Sequence, residues 1–199
     1  KSTGSRLIAK KYSLAFLSSG LLYRYAGYLL LKYKPKNKIF FLKKKFHKLN
    51  YKKINNINLH TLEISSYSAK IAKLKSIRNI LKKYQTNFVN KNQRCVLEGR
   101  DASTKILPNS DVKFFFICSL NIAAKRRYNE LKKSAKNINF KEVKRALSER
   151  NRADSTRKIS PLQKHPDAVV VDTGKLHKQA MIVRMTKYIE RTLKNKYGN

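Results

Sequence analysis

The sequence is poor in acidic residues, cysteine and glycine, and it has no tryptophan. Only 11 Asp and Glu oppose 47 Lys and Arg, which leaves a formal net charge of +36. This charge predicts attraction to polyanions, although compositional drift in the coding sequence would produce the same wealth of lysine. Hydrophobic residues form 41% of the 199 residues, which excludes a disordered polycation and allows one domain with a core.

The scarcity of cysteine excludes a disulfide framework. Cys95 and Cys118 each lie inside an apolar run, and this predicts two small core residues in a reducing compartment. The four histidines are scattered along the chain, so no Cys/His group has the spacing of a structural zinc site.

Long hydrophobic runs are also lacking. The most apolar segment, residues 14–31 ("LAFLSSGLLYRYAGYLLL"), is interrupted by a Ser-Ser-Gly turn and contains Arg24. A charge in the middle of a membrane span costs about 2.5 kcal/mol or more, so the segment predicts a strand, a turn and a helix. We therefore expect a cytoplasmic protein without membrane contact, and nothing in the sequence indicates an oligomer rather than a monomer.

Short apolar runs alternate with stretches of helical periodicity over the whole chain. The predicted strands are residues 14–17, 95–97, 112–118 and 168–171. The predicted helices are residues 1–12, 21–33, 61–88, 121–134, 140–151 and 175–193. Residues 32–58 are rich in lysine and broken by Pro35, and they predict an irregular excursion with one strand at 38–42. This alternation predicts a three-layer α/β/α fold around a central parallel sheet.

Polar turns follow three of the predicted strands directly: Ser18-Ser19-Gly20, Gly99-Arg100-Asp101 and Asp172-Thr173. Ligands of parallel sheets bind beyond the carboxyl ends of the strands, so we expect these turns to share one edge. An arginine beside an aspartate at this edge suits a bidentate grip on a phosphate or a nucleobase. A pair that only pins its own turn is an equally good interpretation.

Two further stretches suggest phosphate binding. In "SERNRADSTRKISPL", Arg150 and Arg157 are two helical turns apart and Asp154 is four residues from Arg150, so a helix would present them on one face. A salt-bridged surface helix is the alternative. Lys1-Ser2-Thr3 at the start of a helix matches the end of the phosphate-binding loop G-x-x-x-x-G-K-[ST], although a match this short also arises by chance.

Taken together, these stretches resemble the bacterial cytidylate kinases, which are nucleoside monophosphate kinases of the phosphate-loop class. "SSGLLYR" is similar to the family's D-S/T-G-x-x-Y-R, "SIRNIL" to V-R-x-x-L, and "LEGRD" contains its G-R-D. "SERNRADSTRKISPL" resembles R-D-x-x-D-x-x-R-x-x-x-P-L, and "DAVVVDT" resembles D-A-x-x-x-D-T. The five motifs occur in the family's order across nearly the whole chain.

The resemblance implies transfer of the terminal phosphate of ATP to CMP or dCMP in pyrimidine metabolism, with Mg²⁺ as the cofactor. It implies that Lys1, Ser2 and Thr3 bind ATP and that the hydroxyl of Ser2 helps to hold the Mg²⁺. It also implies two further groups of site residues. CMP would be bound by Ser19, Arg24, Arg78, Arg100, Asp101 and Asp154, while Lys1, Arg150 and Arg157 would be catalytic.

The resemblance also implies a division of the chain. Residues 1–199 would be one kinase domain, residues 32–60 a shortened, lysine-rich nucleotide-binding excursion, and residues 133–152 a mobile helical lid. The glycines and the first strand that precede Lys-Ser-Thr in the family are missing from the sequence as given. We therefore expect a fragment that folds poorly and has little activity by itself.

Two alternatives stay open at this point. A basic nucleic-acid-binding protein, for example a ribosome-associated one, would explain the charge and the lysine-rich stretch. Against it, the motif arginines fall at strand ends rather than along one basic stripe, and non-specific RNA binding is compatible with a kinase. The second alternative is a kinase for UMP or AMP.

Overall fold

A computed structural model gives the structure of the chain and describes residues 2–133 and 138–198. The described residues form eight α-helices and four short strands. The helices are α1 (Ser2–Lys11), α2 (Ser19–Tyr33), α3 (Lys38–His47), α4 (Leu62–Ile71), α5 (Lys75–Lys91), α6 (Leu120–Lys132), α7 (Phe140–Thr156) and α8 (Lys178–Tyr197). The strands are β1 (Ala15–Ser18), β2 (Cys95–Glu98), β3 (Phe114–Ile117) and β4 (Val169–Asp172).

The strands pair in parallel, as the alternation of strands and helices predicts. β1 pairs with β2 from Ala15–Cys95 to Ser18–Glu98, and β3 pairs with β4 from Phe114–Val169 to Ile117–Asp172. Within the described residues no backbone ladder joins the two pairs, so they form two two-stranded sheets rather than one continuous sheet. The α/β class of the chain is therefore clear, while the three-layer arrangement stays a prediction.

The strand predicted at residues 38–42 is wrong, because this segment begins helix α3. Leu42 and Phe46, four residues apart, are 0% and 4% exposed, so the apolar side of the segment has the helical period. The side chain of Asn37 caps the helix by accepting a hydrogen bond from the Phe40 amide at 3.0 Å. Four consecutive apolar residues, "IFFL", concealed this period because a short buried strand gives the same run.

The prediction of one helix at residues 61–88 is also wrong. Helix α4 ends at Ile71, and α5 begins at Lys75. The break leaves carbonyl groups at the end of α4 without helical partners. The guanidinium of Arg78 donates a hydrogen bond to one of them, the Ala72 carbonyl, at 3.1 Å. A side chain that the sequence places inside one long helix thus closes the end of the first of two.

The core has two parts. The larger contains Leu17 of β1, Leu22 of α2 and Leu81 of α5, each fully buried, and the smaller joins Ile8 and Val171 to helix α8. The prediction that both cysteines are core residues is wrong, because Cys95 is only half-buried and Cys118, just beyond the end of β3, is exposed. Over residues 2–133 and 138–198, no helix is both long and apolar enough to cross a membrane.

Candidate functional site

A pocket opens where the ends of β1 and β2 face helices α4 and α7. Its lining includes residues from the turns that follow β1 and β2 and from the arginine-bearing helix α7. The predicted site residues that line it are Ser19, Arg100, Asp101, Arg150, Asp154 and Arg157. Residues from three separate parts of the chain, near positions 19, 100 and 154, are thus brought together.

Gly99 allows the turn after β2 to approach the start of α2. A Cβ atom at this position would lie 3.0 Å from the Ser19 hydroxyl oxygen and 3.3 Å from the Ala102 Cβ, so these neighbours would have to shift by a few tenths of an ångström. Ser19 is buried, and its hydroxyl donates a hydrogen bond to the Gln85 side chain at 2.9 Å. The glycine before Arg100 therefore suits the close contact between the two strand ends.

Arg100 and Asp101 are neighbours in sequence but have different partners. The carboxylate of Asp101 pairs with the guanidinium of Arg78, and the two side chains are only 7% and 8% exposed. Arg100 instead contacts Asp154 of α7, with 3.0 Å between Nε and Oδ2. The turn is therefore held by residues from α5 and α7, and the interpretation of an Arg-Asp pair that pins its own turn is wrong.

Asp154 is the centre of a group of three arginines. Its Oδ1 lies 3.1 Å from Nη1 of Arg157, and its Oδ2 lies 3.9 Å from Nε of Arg150, in addition to the contact with Arg100. Asp154 is 7% exposed and Arg157 6%. Asp154 thus accepts a hydrogen bond from Arg157 and attracts Arg100 and Arg150 by charge, and the three guanidinium groups leave an excess of positive charge in the pocket.

Of the predicted CMP-binding arginines, Arg24 and Arg78 do not line the pocket. Arg24 is nevertheless desolvated and near enough to Arg150 to be repelled by it, and the pocket arginines Arg150 and Arg157 are desolvated as well. Burial, together with repulsion by Arg150 and Arg127, lowers the pKa of Arg24 to about 10. Burial is also the main reason why the pKa values of Arg150 and Arg157 are lowered. The Nε atoms of Arg24 and Arg150 are buried without a hydrogen-bond partner among the described residues. An anionic ligand in the pocket would supply an acceptor for Arg150, which lines it, and the missing negative charge.

Three site features were missed by the sequence analysis. The ring of Tyr23 lies in the pocket, 5.7 Å from the guanidinium carbon of Arg78, and burial raises the pKa of its hydroxyl to about 12. Its signal was the tyrosine within "SSGLLYR". Arg24 donates a hydrogen bond to the His60 ring at 2.9 Å, and Arg127 reaches the His60 carbonyl at 2.7 Å. His60 and Arg127 lie outside the motifs of the sequence analysis.

The third predicted strand end does not line the pocket. Thr173, just after β4, is held by Arg126 of α6, whose Nη2 donates to the Thr173 carbonyl at 2.7 Å and whose Nη1 reaches its hydroxyl at 3.3 Å. The expectation that all three strand ends share one site is thus met for β1 and β2 only. Arg126 was not singled out in the sequence.

The predicted ATP-binding residues are only partly described. Lys1 lies outside the described residues, Ser2 is the first residue of α1, and Thr3 is exposed. Among residues 2–133 and 138–198, no group of three His, Cys, Asp or Glu side chains could hold a metal ion. A Mg²⁺ ion bound mainly through nucleotide phosphates and water needs no such group.

The fold and the pocket define an α/β protein with a basic site suited to an anionic ligand. A family model described as "Cytidylate kinase" matches residues 1–191. The chain is 36% identical to the cytidylate kinase of Thermosipho melanesiensis over 98% of its length and 93% of that protein. It is 34% identical to the cytidylate kinase of Bartonella tribocorum over 98% of its length and 91% of that protein. The cytidylate kinase of Rickettsia africae is 32% identical, over 96% of the chain and 86% of the relative. The chain therefore belongs to the cytidylate kinase family.

Proposed function

We propose that this protein transfers the terminal phosphate of ATP to CMP or dCMP and releases ADP with CDP or dCDP. Membership of the cytidylate kinase family supports the reaction. The single structural observation that supports it most is the Asp154 centre with Arg100, Arg150 and Arg157 around it. Phosphoryl transfer needs two anions held in line with their charge neutralised, and rigid guanidinium groups provide this.

We assign the site residues to two tasks, bridging the phosphates of the two nucleotides and binding CMP. Arg150 and Arg157 would bridge the donor and acceptor phosphates, and Asp154 keeps their guanidinium groups oriented. CMP would be held by the residues that the family resemblance assigns to it: Ser19, Arg24, Arg78, Arg100, Asp101 and Asp154. Arg78 and Asp101 neutralise each other, so their contribution is to present a fixed polar wall rather than free charge.

ATP enters this scheme as its complex with Mg²⁺. Lys1 would contact its phosphates and the hydroxyl of Ser2 would reach the metal, with Thr3 beside them. The metal lowers the negative charge of the donor phosphates, and the chain's own arginines then supply the charge that the transferred group meets in the transition state. We propose the same role for any divalent cation that ATP carries.

Residues 133–152 are proposed as a lid over this pocket. This segment begins just after α6 and includes most of α7. Its residues 134–137 lie outside the described part of the chain. Arg150 lies within this segment, so a movement of α7 would bring its guanidinium towards Arg100 at the end of β2 or take it away. Closure around both nucleotides would exclude water and limit hydrolysis of ATP.

The test uses the protein expressed from its complete gene, with ADP formation measured from ATP and Mg²⁺. CMP, dCMP, UMP and AMP are offered separately, and turnover is expected with CMP or dCMP. Arg157→Ala should reduce kcat about a thousandfold, the size expected for a transition-state arginine, and Arg100→Ala should also cause a large loss. If the enzyme prefers UMP or AMP, that nucleotide takes the place of CMP as the proposed phosphate acceptor.

Arg145→Ala is the matched control for these substitutions. Arg145 lies on the same helix as Arg150, but its side chain is 83% exposed and contacts only Glu149 in the described structure. Its removal should leave turnover unchanged. If a folded protein turns over none of the four acceptors, the proposed reaction is wrong, and binding of RNA would then become the leading explanation of the charge.

A further inference from the structure

His60 connects two arginines that lie on different helices. Its ring nitrogen Nδ1 is 2.9 Å from Nη1 of Arg24 on α2, and its backbone carbonyl accepts a hydrogen bond from Nη2 of Arg127 on α6 at 2.7 Å. The loop itself is fixed by Asn58, whose side chain accepts a hydrogen bond from the His60 amide at 3.2 Å. His60, which lies in the loop before α4, thus contacts both α2 and α6.

The contact with Arg24 specifies the protonation state of the imidazole. A guanidinium group has only donors, so Nδ1 must carry a lone pair and the ring must be neutral, with its proton on Nε2. The charged groups that face His60 are Arg24, Arg127, Arg6 and Glu130, with Glu130 Oε1 3.9 Å from Nδ1. Burial and then Arg24 lower the pKa of His60, which keeps the ring neutral at neutral pH.

We infer that His60 is a positioning residue that aims Arg24 at the acceptor nucleotide and ties this arginine to α6 through Arg127. The inference rests on the proposed function, in which Arg24 binds CMP. The Nε atom of Arg24 has no hydrogen-bond partner among the described residues, so the bond to His60 is a main constraint on the guanidinium. Loss of that bond lets Arg24 take orientations that do not bind the acceptor.

Protonation of His60 breaks the same contact in the wild-type protein. The imidazolium has a donor at Nδ1 in place of the acceptor, and its charge repels Arg24 and Arg127. Because the pKa of His60 lies below its ordinary value of 6.5, this change occurs as the pH falls below neutrality. The KM for the acceptor is therefore expected to rise on acidification while kcat at saturating acceptor changes little.

The experiment compares wild type, His60→Ala and His60→Asn in the protein from the complete gene. His60→Ala should raise the KM and the Kd for CMP about tenfold at pH 7.5, as expected for the loss of one hydrogen bond to a charged group. The Asn side chain places an oxygen acceptor where Nδ1 stood and does not titrate. It should restore binding at pH 7.5 and remove the part of the pH dependence that belongs to His60.

Two controls make the result specific. The phosphate of CMP itself titrates near pH 6, and this contribution is common to all variants, so the difference between wild type and His60→Asn isolates the histidine. His47→Ala removes an exposed histidine from α3 and should change neither KM nor its pH profile. Thermal unfolding of each variant identifies any loss that comes from the fold alone.

The outcomes separate this inference from the proposed function. If wild type turns over no CMP, the proposed reaction is wrong, and calorimetric binding of CMP still tests the positioning role. If CMP is bound but His60→Ala leaves Kd, KM and the pH profile unchanged, the inference is overturned. A His60→Asn variant as weak as His60→Ala, or a loss confined to kcat, would also overturn it. Absence of CMP binding to wild type would overturn both.

Discussion

The pocket and the groove between α3 and α5 are both rich in cationic side chains, but they hold them in opposite ways. In the pocket, guanidinium groups surround the buried carboxylate of Asp154, and Arg157 is 6% exposed. In the groove, no acidic residue occurs among the described residues that line it, and its lysines extend into solvent above an apolar floor. These lysines are Lys43, Lys44, Lys83 and Lys91.

The difference shows that acidic residues, rather than positive charge, mark the site in this protein. Burying a carboxylate is costly unless it is paired, so Asp101 and Asp154, whose side chains are each 7% exposed, must be held by their arginine partners. A lysine with its ammonium group in water needs no partner and constrains nothing around it. Because 11 acidic residues stand against 47 basic ones, the two buried aspartates indicate the position of the site better than the net charge does.

The buried pair of Asp101 and Arg78 is expected to give the largest effect on stability. Asp101→Asn leaves a buried guanidinium without its counter-charge, and we expect the free energy of unfolding to fall by about 3 kcal/mol. Urea unfolding followed by circular dichroism measures this. Asp111→Asn is the control, because Asp111 and its partner Lys196 are 44% and 51% exposed and their pair should contribute less than about 1 kcal/mol. Equal losses would mean that burial does not distinguish the two pairs.

The Asp154 centre is expected to give the next largest effect, on catalysis rather than on folding. Asp154→Asn keeps the size of the side chain but removes the charge that orients Arg100, Arg150 and Arg157. Displaced guanidinium groups should lower kcat/KM for CMP about a hundredfold. Steady-state assays of ADP formation test this. Glu149→Gln on the same helix, whose partner Arg145 is exposed, should retain full activity, and a similar loss there would contradict the special role of Asp154.

The pocket was easier to predict from the sequence than its internal contacts. The motif spacing places Arg100 and Asp101 at a strand end and Asp154 on one helical face with its arginines, and the family resemblance implied that they form one site. The choice of partners could not, because Asp101 lies beside Arg100 in the chain and yet pairs with Arg78, 23 residues away. Such pairing depends on tertiary distances that local spacing does not encode.

Segments without a motif were predicted least well. Helix α3 was predicted as a strand because "IFFL" reads as either element, and only the later burial of Phe46 reveals the helical period. At the division of α4 from α5, Arg78 of α5 donates a hydrogen bond to the Ala72 carbonyl at the end of α4. His60 was one of four scattered histidines, and its contacts with Arg24 and Arg127 come from elements far apart in sequence.

The groove lysines are expected to give the smallest effect. Replacing Lys43, Lys44, Lys83 and Lys91 together by glutamine should leave kcat/KM for CMP within about twofold, and each change should alter the free energy of unfolding by no more than about 0.5 kcal/mol. Binding of single-stranded RNA should weaken, and its dependence on salt should become less steep, because fewer phosphates are neutralised.

The comparison with four lysines elsewhere decides what the groove is. Lys10, Lys11, Lys187 and Lys194 are exposed and lie on α1 and α8, away from the lining of the groove. If the charge acts only as a diffuse cloud, glutamine at these four positions should weaken RNA binding as much as the groove variant does, since equal charge is removed. A clearly larger loss in the groove variant would mean that the apolar floor and its lysine rim act together as a site. The groove would then be a binding site although no acidic residue among its described lining holds its lysines, and the contrast with the pocket would be wrong.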